Sequence, residues 1–257
     1  MRYPGGKGGA GVYQRIINLM PPHRVFIEPF VGGGNIILNK QPAEVSIVID
    51  LDVGQIERLT PILPPAVTAI CADAVPWLKT YPWQGDELVY CDPPYVMAAR
   101  SGRRLYKHEM TDAQHLELVS VLSSIPASVM LSGYRNGIYD ELVSQWRRVD
   151  FPAMTQGGVK IESIWMNYDP PALPAELTYL GDNFRERERI KRKKARWGAK
   201  LAKLPLGEQA AIMDILCGIM SPELTIRPTA AGACIVVSDM AGPPLVTDNA
   251  VGLSVAW

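Results

Sequence analysis

A short, largely apolar run, Glu87-Leu88-Val89-Tyr90-Cys91, ends abruptly at Asp92-Pro93-Pro94-Tyr95, and no other stretch constrains the chain as much. An unbroken run of this length reads as a strand buried on both faces of a parallel sheet. An acid at the end of such a strand faces the crevice where open α/β sheets bind their ligands. Two prolines then prevent onward pairing, since each lacks an N–H and has a fixed φ. Their carbonyls remain as acceptors, and Tyr95 adds a flat ring. A carboxylate, rigid carbonyls and an aromatic face suit a planar group that carries an amine. Taken alone, Asp-Pro-Pro reads equally well as a turn behind a strand with a buried tyrosine.

Upstream, the same placement recurs. Val25-Phe26-Ile27 reads as a first strand, followed by Glu28-Pro29-Phe30-Val31-Gly32-Gly33-Gly34 and a helix-compatible run from Asn35 to Asn39. Strand, glycine turn and helix together make a nucleotide-binding arrangement, although the spacing is not G-x-G-x-x-G. Val45–Ile49 reads as a second strand ending in Asp50-Leu51-Asp52. Asp50 lies 18 residues beyond Gly32, where an acid can accept the hydroxyls of a ribose, while Asp52 fits the N-cap of a helix over Val53–Thr60. Val67–Cys71 reads as a third strand, with Asp73 just past it. Four consecutive strands thus end in something a ligand can use, which argues for one crevice along the carboxyl edge of a sheet. Residues 1–11 hold five glycines around Lys7, so their backbone can approach a ligand closely, yet they do not form a P-loop.

Downstream of the Asp92 turn, residues 96–110 read as a basic loop carrying Arg100, Arg103, Arg104 and Lys107. Thr111-x-x-Gln114 is a capping-box signature for a helix to about Ser124, with Leu116, Val119 and Leu122 facing inward. Ser128–Ser132 reads as a fifth strand, Gly133–Gly137 as a turn that includes Arg135, and Ile138–Trp146 as a helix. Val149–Phe151 and Ile161–Tyr168 form a candidate hairpin around Gln156-Gly157-Gly158. A Pro-rich stretch, residues 171–181, reads as a linker. Beyond it, Asn183-x-x-Glu186 can cap a helix through about Leu204, and Glu208–Met220 is a short amphipathic helix. Residues 221–257 are rich in Gly, Pro and Ala, with one strand-like run at Ala233–Ser238.

The net charge of zero hides an asymmetry. Residues 1–181 carry 15 Lys/Arg and 18 Asp/Glu, whereas residues 182–203 carry 10 and 3. A basic block of this kind, with Lys191, Arg192, Lys193, Lys194 and Arg196 at its centre, can bind nucleic acid or simply present a solvated face. Four cysteines without a close pair and only three histidines signal neither a disulfide framework nor a metal site. There is no apolar run of membrane-spanning length and no apolar signal region, so a soluble, intracellular chain is expected.

In order and spacing, four segments resemble the Dam-like N6-adenine DNA methyltransferases, above all the compact phage-type members. Arg2-Tyr3-Pro4-Gly5-Gly6-Lys7 is similar to the family's N-terminal aromatic-x-Gly-Gly-Lys element, and Phe26 to Gly34 to its cofactor glycine motif. Ile49-Asp50-Leu51-Asp52 resembles the acidic ribose-binding position, and Asp92-Pro93-Pro94-Tyr95 the catalytic motif. Lys107-His108-Glu109-Met110, Ser132-Gly133-Tyr134 and Trp165-Met166-Asn167-Tyr168 are also family-like, so the resemblance covers about residues 1–170. The segment from Leu180 to Trp197 is similar to extensions of phage members.

The resemblance implies a doubly wound, mostly parallel seven-stranded methyltransferase-type sheet over residues 1–170, followed by a basic helical extension over residues 182–220. It implies S-adenosylmethionine as cofactor, held by Tyr3, Lys7, Asp50 and Asp92, with Glu28, Phe30, Gly32 and Gly34 on its glycine-motif side and Asp73 toward its adenine. Asp92, Pro93, Pro94 and Tyr95 would act on an adenine flipped out of double-stranded DNA, without a metal. Arg100, Arg103, Arg104, Lys107, Arg135 and the basic residues 191–196 would meet the DNA. Larger members insert a target-recognition domain between the third-strand acid and the catalytic motif. Here Asp73 and Asp92 are separated by 18 residues, which leaves no room for one. An RNA adenine or DNA N4-cytosine methyltransferase, and a DNA-binding phage protein without turnover, are the alternative readings.

Overall fold

The computed structural model describes residues 5–9, 11–100, 105–155, 158–219, 224–229 and 232–237. Two compact units divide the chain, residues 1–195 and 196–257.

The first unit is an α/β sheet of seven strands in the order β3-β2-β1-β4-β5-β7-β6. Its strands are β1 (Val25–Glu28), β2 (Val45–Asp50), β3 (Val67–Cys71), β4 (Glu87–Cys91), β5 (Ser128–Gly133), β6 (Arg147–Thr155) and β7 (Gly158–Met166). The first five are parallel; β7 runs antiparallel to both β5 and β6. The mostly parallel, seven-stranded sheet expected from the sequence is therefore present.

All five residues of β4 are buried, as its unbroken run requires. Side chains alternate between two cores. Phe26, Val48, Leu88, Tyr90, Met130 and Ile164 meet α1 (Val12–Asn18) and α2 (Val53–Leu59) on one face. Ile27, Ile49, Val89, Leu131 and Trp165 meet α3 (Ala74–Thr80), α4 (Asp112–Ser124) and α5 (Gly137–Leu142) on the other. The Thr111–Gln114 capping box forms as its spacing predicts, and Asp52 and Asp73 cap α2 and α3.

Several expectations change in detail. Asn35–Asn39 makes hydrogen-bonded turns rather than a regular helix, because Gly34 enters with φ +70° and Pro42 follows too soon. Leu116 is 47% exposed, and His115 and Leu118 take the inward positions with Val119 and Leu122. The strands of the hairpin are longer than their apolar centres. The segment expected as a linker is bound down: Glu176 Oε2 accepts from the Gln41 N–H at 2.9 Å, and the Tyr179 hydroxyl donates to the Asn39 carbonyl at 2.9 Å.

α6 (Phe184–Leu201) begins with the Asn183 side chain accepting from the Glu186 N–H at 3.0 Å. The second unit contains α7 (Leu206–Ile219) and an antiparallel pair, β8 (Leu224–Thr229) and β9 (Gly232–Val237). β8, with Pro228 inside it, is not legible in the sequence. Among the described residues, no helix is long and apolar enough to cross a membrane.

Candidate active site

The parallel strands deliver Glu28, Asp50, Asp73 and Asp92 to one edge of the sheet. There they line a cavity of about 380 Å³ together with Lys7, Phe30, Gly32, Gly33 and the segment 105–110. That volume lies in the range of small-molecule and cofactor sites, ~300–1,000 Å³.

Asp50 stands at the end of β2. Its Oδ2 accepts from the Gly32 N–H at 2.8 Å and its Oδ1 from the Asp52 N–H at 2.9 Å. The glycine turn thus orients the acid. Burial raises the Asp50 pKa, against the pull of these two N–H groups. Glu28 is buried and accepts from the Ile37 N–H at 3.2 Å. Burial, and after it the charge of Asp92, pushes its pKa well above the ordinary glutamate value.

Asp92 anchors the densest cluster. The Lys7 Nζ donates to Asp92 Oδ1 at 2.7 Å, and also contacts the Tyr95 hydroxyl. The Tyr95 hydroxyl donates to the carboxylate of Glu162, 2.9 and 3.0 Å from its two oxygens. Glu162 Oε1 further accepts from Ser132 Oγ at 2.7 Å and lies 3.3 Å from Lys7 Nζ. Burial pushes the Asp92 carboxyl up to about 6; Lys7 opposes this rise and Glu162 adds to it. Burial alone would lower the Lys7 pKa, but the charges of Asp92 and Glu162 outweigh it and the net shift is upward. Lys7 is therefore an ammonium held between two carboxyl groups.

The remaining candidate residues separate. Pro94 lines the cavity, and Pro93 is buried beneath it. Tyr95 is only 6% exposed, its ring edge-on to Tyr134 with centroids 4.5 Å apart. Gly34 does not belong to the cavity wall; Gly33 does. A Cβ on Gly34 would lie 2.6 Å from Cδ2 of the buried Leu59, so this glycine serves packing. Gly34→Ala is expected to cost about 2–3 kcal/mol, from the left-handed φ and the clash together. Chemical denaturation checks this, and a variant as stable as the parent contradicts it. Gly5 serves close approach in the same way, because a Cβ there would lie 2.5 Å from the Tyr106 hydroxyl.

Arg100 departs from the DNA-contact expectation. Its side chain is 3% exposed and its two terminal nitrogens bind Glu109 at 3.2 and 2.5 Å. Lys107 stands on the cavity wall and pairs with Asp52 at 2.8 Å. Arg135 is exposed and pairs with Asp140. Lys191, Arg192, Lys193, Lys194 and Arg196 are exposed along α6. Tyr3, Arg103 and Arg104 lie outside the described residues. Glu162 escapes the sequence reading, and its only signal is an acid at the head of the apolar strand run Ile161–Tyr168. Among the described residues, no group of His, Cys, Asp and Glu is arranged to hold a metal ion.

No family model and no curated protein sequence matches the chain. Among solved structures it is similar to a precorrin-8w decarboxylase from Methanobacterium thermoautotrophicum, at 12% identity over 65% of this chain and 94% of that one, with a TM-score of 0.44. It is also similar to the N-methyltransferase NodS from Bradyrhizobium japonicum, at 9% identity over 61% and 93%, with a TM-score of 0.43. An rRNA methylase from Streptococcus thermophilus aligns at 7% identity over 60% and 93%, with a TM-score of 0.40. These are similarities of fold only, and the chemistry of this chain is argued from its own residues.

Proposed function

We propose that this chain transfers a methyl group from S-adenosylmethionine to the N6 amine of adenine in DNA, with the target base turned out of the duplex. The observation that carries the reading is Asp92 of Asp-Pro-Pro-Tyr, standing at the end of β4 on the wall of the same cavity as Asp50 and the glycine turn. The donor set fits the cofactor. Asp50 suits a ribose diol and Asp73 an exocyclic amine, while Phe30, Val31 and Val75 offer apolar surface. The excess of carboxyl groups along this edge suits a ligand that carries positive charge. When bound, the cofactor supplies an electrophilic methyl group on a sulfonium.

The protein residues must deal with a poor nucleophile, since the lone pair of an exocyclic adenine amine is delocalised into the ring. Asp92 and the Pro93 carbonyl accept its two N–H bonds, which aims lone-pair density at the methyl group. The N–C bond would form as the methyl–sulfur bond breaks to leave a neutral thioether, and the amine nitrogen, cationic at that point, would then lose a proton through Asp92 to water. Asp92 also stabilises the positive charge as it develops. Tyr95 is buried and braces Tyr134, and the partly exposed Tyr134 ring offers the aromatic surface for the flipped base. Flipping costs a few kcal/mol, partly offset by stacking worth ~1–3 kcal/mol. In a short chain without an inserted recognition domain, contacts to the DNA fall to Arg135 and α6.

The test is to incubate plasmid DNA, and separately RNA, with the full chain and methyl-labelled cofactor, and to map the modified bases by long-read sequencing. N6-methyladenine in the DNA is the expected product. Label confined to RNA, or to cytosine, replaces the substrate in this reading, and no label in either overturns it.

A further inference from the structure

A buried charged group in direct contact with Lys7 and Tyr95 has no part in the mechanism above. Glu162 is 3% exposed and is the first buried residue of β7. Because β7 runs antiparallel, its early residues lie at the carboxyl edge of the parallel strands, and Gly133 at the end of β5 pairs with Ser163. A solitary carboxyl group at that depth is expensive unless partners hold it. Glu162 has three: Ser132 Oγ at 2.7 Å, the Tyr95 hydroxyl at 2.9 Å and Lys7 Nζ at 3.3 Å. Two of these belong to the Asp92 cluster.

We propose that Glu162 is a positioning residue of the methyl-transfer site: it offsets the Lys7 ammonium and fixes the Tyr95 hydroxyl, leaving the charge of Asp92 for the incoming amine. The inference rests on the methyl-transfer reading. Without Glu162, Lys7 and Asp92 would form a closed neutral pair, and the ammonium would compete with the target amine for Oδ1. With Glu162, one ammonium is shared between two carboxyl groups, and a negative charge remains where the amine becomes cationic.

The other titratable groups facing Asp92 do not supply this charge. Burial raises the pKa of Glu28 well above the ordinary glutamate value, disfavouring its charge, and raises the phenols of Tyr90, Tyr95 and Tyr134 above the ordinary tyrosine value. Burial likewise raises the thiol of Cys91. Lys7 and Glu162 are the charged partners that set the state of Asp92.

The test compares the full chain with Glu162→Gln by 13C NMR of the Asp92 side-chain carboxyl across pH, and by single-turnover methyl transfer. Removing a neighbouring negative charge is expected to lower the Asp92 midpoint by about one pH unit. The acid limb of the rate profile moves down with it, and the rate at pH 7.5 falls about 30-fold with little change in KM for the cofactor. A residue with a merely structural role changes melting temperature and leaves the midpoint alone. A folded Glu162→Gln variant with an unmoved midpoint therefore overturns the proposal.

Should that variant fail to fold, the parent chain decides. There the Asp92 carboxyl signal must titrate in two steps, because a second carboxyl group shares its ammonium partner, and a single step overturns the proposal. A parent chain that methylates neither DNA nor RNA overturns the methyl-transfer reading, and with it the role of Glu162 in that reaction. An active parent whose Asp92 titrates in a single step overturns the proposal alone.

Discussion

Replacing Asp92 with asparagine is expected to cut methyl transfer about 1,000-fold and, at pH 7.5, to make the fold more stable. The first effect follows from the place of Asp92 on the cavity wall at the end of β4, where an anionic acceptor for the target amine is lost. An asparagine keeps the shape but neither the charge nor the second acceptor oxygen. The second effect follows from burial. The folded-state pKa of Asp92 is pushed up to about 6, above the ordinary aspartate value. The folded state therefore holds this proton over a pH range in which the unfolded chain has released it. The contribution is fully present below pH ~4 and is lost as pH rises through the folded value, the loss reaching about 3 kcal/mol.

Asparagine imitates the protonated form and escapes that loss. The variant and parent should melt together near pH 4, and the variant about 9 °C higher at pH 7.5. His23 and His115, whose pKa values burial pushes down to about 4, titrate with the opposite sign, but both chains contain them and they cancel in the difference. Paired melts over this range, beside the methylation assay, check both halves. A variant that loses activity and also loses stability at pH 7.5 contradicts the charge assignment.

The outline of this site can be read in the sequence because backbone rules place it. Apolar runs of strand length fix β1 to β5, and the acid at the end of each of the first four falls on the carboxyl edge whatever the details of packing. Asp50 and Asp52 could even be separated, one to the glycine turn and one to the helix cap, because each role has its own spacing. What sequence spacing does not carry is pairing between distant segments. Arg100 sits in a basic loop and invites a DNA contact, yet Glu109 holds it within the protein. Gly34 looks like part of a cofactor turn, whereas its missing side chain makes room for Leu59, 25 residues further on. Glu162 meets its partners from three separate segments, Lys7, Tyr95 and Ser132, so the network exists only once the sheet has assembled.

Changing Lys191, Arg192, Lys193, Lys194 and Arg196 together to glutamine is expected to weaken binding to duplex DNA about 100-fold at ~0.1 M salt. α6 is an unusual helix for a folded protein. Nine of its 18 residues are Lys or Arg against two Glu, and every residue from 191 to 200 is exposed. Burial in a core therefore does not explain why this stretch is helical. Its start is secured locally by the Asn183 cap and by Glu186, whose carboxyl accepts from the Asp182 N–H at 3.0 Å and pairs with Arg189 at 3.5 Å. Glu186 in the first turn and Lys200 in the last also complement the helix dipole. The basic residues repel one another in isolation, and a phosphate backbone relieves that repulsion by exchanging its condensed counterions for them. If all five contact phosphates, the slope of log affinity against log salt should become shallower by about 4. Because these side chains are exposed, melting temperature and cofactor affinity should stay as in the parent. Fluorescence-anisotropy titrations at several salt concentrations separate the two fates open to such a charge run. An unchanged salt slope assigns α6 to solvent, whereas a shallower slope with intact cofactor binding assigns it to the nucleic acid.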